Sequence, residues 1–223
     1  MIISSRETFR KNDRCLVIGG GPSVISSKAI IDDYYQAYKP IVFTSNRPLW
    51  IPYDYILFLD AEFFIKHSKN IRNETIIIGP KIMELKRKSK EIKHIINKHK
   101  NKIMLLKYDR HSRDINSINI KNNGYINHFV GNSGMGSLLM STFSMPKEIF
   151  MVGFDGTESD KTISHYDGSY NKNYHLDENK IERNKKLLNY IFKYIISNNT
   201  KIIASRYDRL WGVNAAEMNI EIR

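Results

Sequence analysis

Gly19, Gly20 and Gly21, followed by Pro22 and Ser23, come directly after the apolar run CLVI at residues 15–18. A strand that ends in a glycine turn and opens a helix gathers main-chain N–H groups and the positive end of the helix dipole, and an anion such as a phosphate can sit there. The same residues also suit a plain tight turn. Other polar residues occupy the same kind of position. Ser45 and Asn46 follow IVFT, Asp60 closes YILFLD, Asn132, Ser133 and Gly134 open a helical stretch, and Asp155 closes EIFMVGFD. Each has an ordinary explanation as a turn or cap residue. Together they predict a shared small-molecule site, because the carboxyl ends of parallel strands form one rim where open α/β sheets bind ligands. Asp60 and Glu62 form a D-x-E pair that can hold Mg²⁺ through nucleotide oxygens.

The elements that must position these residues are legible as apolar β-type runs at 15–19, 41–45, 55–60, 75–79, 102–109, 148–155 and 201–206. Helical stretches are predicted between them, at 24–38, 61–70, 82–100, 134–143 and 178–197. The last carries Ile181, Leu187, Leu188, Ile191, Phe192 and Ile195 as a stripe at helical spacing, with Asp177 as its N-cap. Strand–helix alternation of this kind predicts an α/β fold with a mainly parallel sheet and helices on both faces. No linker or repeat divides the chain, so residues 1–223 are expected to form a single domain. Two polar stretches, 109–127 and 156–177, are long enough to serve as a lid or acceptor loops.

Several chemistries are excluded by spacing. The third glycine position of G-x-G-x-x-G holds Val24, and no acidic residue ends the second strand, which argues against a nicotinamide or flavin site. No G-x-x-x-x-G-K-[ST] motif is present, and G-N-S-G-M at 131–135 lacks the spacing of a nucleophilic serine elbow. Cys15 is the only cysteine, which excludes internal disulfides and zinc clusters and favours a reducing compartment. With no apolar run long enough to span a bilayer, a cytoplasmic protein is expected. The net charge of +12 predicts attraction to an anionic partner, whether a glycan, DNA or the surface of an anionic membrane. Much of the excess lies in KRKSKEIKHIINKHKNK, 86–102, read as an amphipathic helix with Ile92, Ile95 and Ile96 on its inner side. His67, His94, His99 and His111 read as surface residues.

The segments VIGGGPS, FTSNRP, YILFLDAEFF and NSGMGSLLMSTFSMPKEIFMVGFDG, with a histidine-bearing segment before the last long helix, resemble the bacterial sialyltransferases of glycosyltransferase family 42. They are also similar to the broader DUF115 group, which includes archaeal pterin diphosphokinases and flagellin glycosylation factors. The likeness runs over most of residues 15–195. It implies a Rossmann-like domain with a lid loop, binding a nucleotide-sugar donor and requiring no metal or other cofactor, although Asp60 and Glu62 keep Mg²⁺ open. By the same resemblance the donor is held by the turn Gly19 to Ser23, by Asn46, and by Asn132, Ser133 and Gly134, with Asp60 and Asp155 beside it. Tyr166 and Tyr174 then face the leaving phosphate, and His175 or His165 is the general base that inverting transfer needs. This chain departs from the sialyltransferases at Gly20 and Asp60, where they carry asparagine, so sialic acid is not implied. A Mg²⁺-dependent pterin diphosphokinase and a non-catalytic nucleotide-binding accessory protein are the alternative readings.

Overall fold

Runs such as Cys15-Leu16-Val17-Ile18 are apolar at every position, so a strand built from them has to be covered on both faces. The computed structural model describes residues 2–3, 9–71, 74–108, 125–126, 132–155 and 178–223. In chain order the elements are β1 (Ile2–Ile3), β2 (Arg14–Ile18), α1 (Ser23–Ser26), α2 (Lys28–Tyr38), β3 (Ile41–Ser45), β4 (Tyr55–Phe58), α3 (Ala61–Ser68), β5 (Thr75–Ile78) and α4 (Pro80–Leu85). They continue with α5 (Lys90–Lys98), β6 (Ile103–Leu105), β7 (Lys107–Tyr108), β8 (Tyr125–Ile126), α6 (Ser133–Ser141), β9 (Glu148–Val152), α7 (Glu178–Ser197), β10 (Lys201–Ala204) and β11 (Glu221–Ile222).

Among the described residues, nine strands form one sheet in the order β1-β6-β5-β4-β3-β2-β9-β10-β11, and every pairing is parallel. The short pair β7 and β8 lies apart from it. Successive residues of each strand point to opposite faces. Cys15, Val17, Phe43, Leu57 and Met151 pack against Leu138, Leu139, Leu188, Ile191 and Phe192 of α6 and α7. On the other face Leu16, Ile18, Val42 and Phe150 meet Ile31 and Tyr34 of α2. Farther along that face Ile56, Phe58, Ile76 and Ile78 meet Phe64 of α3 and Ile92, Ile95 and Ile96 of α5. The result is a Rossmann-like α/β fold.

Some expectations need correction. The predicted helix at 24–38 is two helices, α1 and α2, and that at 82–100 is α4 and α5. The second break has a visible cause: Ser89 is extended and its Oγ accepts the N–H of Ile92, so it starts a new helix. The strand expected at 102–109 leaves the sheet after Leu105, and its continuation pairs with β8. His99 is buried, 7% exposed, at the end of α5; burial, with Lys98 and Lys102 nearby, pushes its pKa down. The edge strands β1 and β11 are too short to leave a pattern in the sequence. Asp177 and most of the 109–127 and 156–177 stretches lie outside the described residues. Among those described, no helix is long and apolar enough to cross a membrane.

Candidate functional site

From β2 the chain steps outward through β3, β4, β5 and β6 on one side, whereas β9 and β10 fill the other side. The strand order therefore reverses between β2 and β9, and the crevice at their carboxyl ends is where sheets of this class bind ligands. The glycine turn and the end of β9 lie side by side at that point.

The geometry explains the glycines. Gly19 N–H donates to Val152 O at 2.7 Å and Gly21 N–H to Gly153 O at 3.0 Å. A Cβ on Gly19 would overlap the Gly153 carbonyl oxygen, and one on Gly21 would overlap the Asp155 carboxylate. Gly153 itself has φ +87°, a conformation that favours glycine, and a Cβ there would lie 2.7 Å from Val24 Cγ2. These glycines let two backbones close on each other. The expectation of open turn amides cradling an anion is revised accordingly. The N–H groups of Gly19, Gly21, Ser23, Val24 and Ile25 all bond to protein acceptors, and Pro22 has none to offer. What the turn presents is a carboxylate, since Ser23 N–H donates to Asp155 Oδ2 at 3.0 Å.

A second helix start adjoins this turn. Asn132 caps α6, its Oδ1 accepting Met135 N–H at 3.0 Å, and the first-turn N–H groups of Ser133 and Gly134 have no acceptor within the helix. A Cβ on Gly134 would sit 3.7 Å from Gly19 Cα, so the helix start and the glycine turn are in close approach. Ser133 Oγ–H donates to Asn46 Oδ1 at 3.0 Å. Asn46 takes a left-handed φ of 63° just past β3, and its N–H is anchored on Leu57 O. Ser137 on the next turn of α6 donates to Thr44 O at 3.1 Å, which ties the helix to β3. Beside Asn46, Arg47 is 1% exposed, with its guanidinium 4.4 Å above the Phe63 ring of α3.

Thus Gly19, Gly20, Gly21, Pro22, Ser23, Asn46, Asn132, Ser133, Gly134 and Asp155 come together at one rim. Asp60 follows β4 on the same rim, two strands from β2, and starts α3; Asp60 and Glu62 are both exposed. Among the described residues, no group of three or more His, Cys, Asp or Glu side chains could enclose a metal ion. His165, Tyr166, Tyr174 and His175 lie outside the described residues.

One site residue escaped the sequence reading. Asp208, four residues past β10, reaches into the crevice wall: its Oδ1 accepts Ser23 Oγ–H at 2.6 Å and the N–H groups of Gly153 and Phe154 at 2.9 Å each. Its Oδ2 is buried and has no hydrogen-bond partner among the described residues. Burial, with the Asp155 carboxylate nearby, pushes its pKa up to about 7. Asp155 is also raised, chiefly by burial, against the opposing bonds from Ser23 and the charge of Arg209. The only signal available was that Asp208 follows a strand end, as the other site residues do.

Fold and site together define a doubly wound α/β protein with polar residues gathered at the rim of its topological switch point. No protein-family model matches the chain, and no curated protein matches it. Among solved structures it is similar to the MAf glycosyltransferase from Magnetospirillum magneticum AMB-1, with a TM-score of 0.55 at 9% identity over 91% of this chain and 33% of that one. The chain thus spans about a third of that protein's length, and the likeness is one of fold.

Proposed function

We propose that the chain is a glycosyltransferase that moves a sugar from a nucleotide-activated donor, CMP- or UDP-linked, to a hydroxyl of a glycan or nucleic-acid acceptor with inversion. The observation that carries this reading is the start of α6 set against Gly19 at the switch point, with Ser133 bonded to Asn46. Two first-turn N–H groups and the positive end of a nine-residue helix there suit a donor phosphate. The Asp155 carboxylate, across the glycine turn, suits donor hydroxyls rather than a second anion. The fold likeness to a glycosyltransferase and the sequence resemblance to the family 42 sialyltransferases support the same class.

In this reading the acceptor oxygen attacks the anomeric carbon as the bond from that carbon to the phosphate oxygen breaks. The base, His175 or else His165, takes the acceptor proton. Tyr166 and Tyr174 donate to the leaving phosphate, so catalysis needs no metal; Asp60 and Glu62 are the residues that would hold Mg²⁺ if a diphosphate donor brought it. The basic surface would attract an anionic glycan, DNA or a membrane surface.

Thermal-shift and calorimetric screening with CMP- and UDP-sugars, ATP and Mg²⁺, followed by assay of donor-dependent nucleotide release, tests this. Binding of a nucleotide-sugar with release of free nucleotide is expected, with release lost in H175A, or in H165A if that residue is the base, and binding kept. A requirement for ATP, Mg²⁺ and a pterin would point to diphosphate transfer instead, and binding without turnover to an accessory protein.

A further inference from the structure

Asp208 joins three segments that are far apart in sequence: the start of α1 through Ser23, the end of β9 through Gly153 and Phe154, and the turn after β10 that carries it, where its own N–H donates to Ser205 O at 2.9 Å. A second tie runs parallel to it, the 2.6 Å hydrogen bond between the buried hydroxyls of Ser27 and Ser205. The donors from Ser23, Gly153 and Phe154 all converge on Oδ1. Oδ2 is left buried without a donor among the described residues, and the charged group acting on it is Asp155, which is itself fixed by Ser23 N–H. Arg209, next in the chain, acts on Asp155. The three donors on Oδ1 favour the ionised carboxylate, but burial and the Asp155 charge act more strongly against it, and a proton on Oδ2 leaves Oδ1 free to keep its three bonds.

We propose that Asp208, carrying its proton on Oδ2, is a positioning residue that clasps the glycine turn, the end of β9 and the segment after β10 together, and so sets the shape and charge of the donor crevice. The consequence for donor binding rests on the glycosyltransferase reading; the clasp does not. Loss of the proton puts a second negative charge beside Asp155, in the wall of a crevice meant for an anionic donor. Burial and Asp155 raise the carboxyl to about 7, so the change falls near neutral pH.

The test is a pH series from about 6 to 8 on the full chain and on D208N and D208A. The side-chain amide of D208N keeps an acceptor oxygen for all three donors and mimics the protonated acid. Amide signals of Gly153 and Phe154 are followed by NMR, and affinity is measured for a CMP-sugar and a UDP-sugar, whose phosphodiesters do not titrate in this range. In the wild type the two amides are expected to titrate together, with affinity about tenfold weaker at the upper end of the series than at the lower as the competent fraction falls. D208N should show neither change while binding as the wild type does at the acid end. Should D208A fail to fold, D208N alone decides. The proposal is overturned if D208N titrates like the wild type, or if a folded D208A binds donor as tightly and with the same pH dependence. Absence of nucleotide binding by the wild type, with the amide titration present and lost in D208N, refutes the donor reading and upholds the clasp.

Discussion

Gly19 and Gly153 show how a single missing methyl group shapes the crevice. Their backbones are in direct contact, and the Gly153 carbonyl accepts from Gly21. G19A must push β2 and the end of β9 apart at a backbone contact that cannot rotate away, which costs about 1–3 kcal/mol as overpacking does. Chemical denaturation of G19A should register that loss, and nucleotide affinity should fall with it. A milder change, S23A, removes the hydroxyl bonded to Asp208 but leaves the N–H that holds Asp155. It is expected to cost about 1 kcal/mol in the same assay, near the net value of one hydrogen bond. At this scale the sequence was partly legible. Three glycines before a proline announce a special turn, but they do not say whether the space they free is for a ligand or for a neighbouring strand. Asp208 was illegible for another reason: an aspartate in SRYD after a strand looks like any turn residue until the fold brings Ser23 and Gly153 to it.

Among the elements, α6 does the most to build the site, because it packs across β2, β3 and β4 while its first turn faces the rim. Asn132 fixes where the helix begins. N132A removes the cap on Met135 N–H and should lower stability by about 1 kcal/mol, read from a denaturant midpoint. The same variant should weaken nucleotide binding, because fraying moves the Ser133 and Gly134 amides. The amphipathic reading of 86–102 survives in its core, since Ile92, Ile95 and Ile96 are each 2% exposed against the sheet. I95A is predicted to cost about 2–5 kcal/mol, the range for a large-to-small change in a packed core. Strands were readable because runs such as CLVI and YILF are apolar throughout and leave no choice but coverage on both faces. Helix breaks were not, since Ser27 and Ser89 differ from ordinary helix-interior serines only in the bonds they make.

For the whole molecule, charge and cleft are separate features. Between residues 61 and 102 the chain carries twelve lysines and arginines against four glutamates, which accounts for most of the +12 excess, and this segment builds the layer of α3, α4 and α5 on one face of the sheet. Contacts of that layer with DNA or anionic vesicles should be non-specific and weaken steeply as salt is raised from about 50 to 200 mM. Donor binding at the rim should change far less. The central claim is that a nucleotide-sugar sits at the switch point between β2 and β9. Backbone NMR during titration with CMP- and UDP-sugars tests it most directly. The account predicts saturable shifts at Asn46, Ser133, Gly134 and Asp155. A saturating nucleotide that leaves these four unmoved, or shifts only α5, would contradict it.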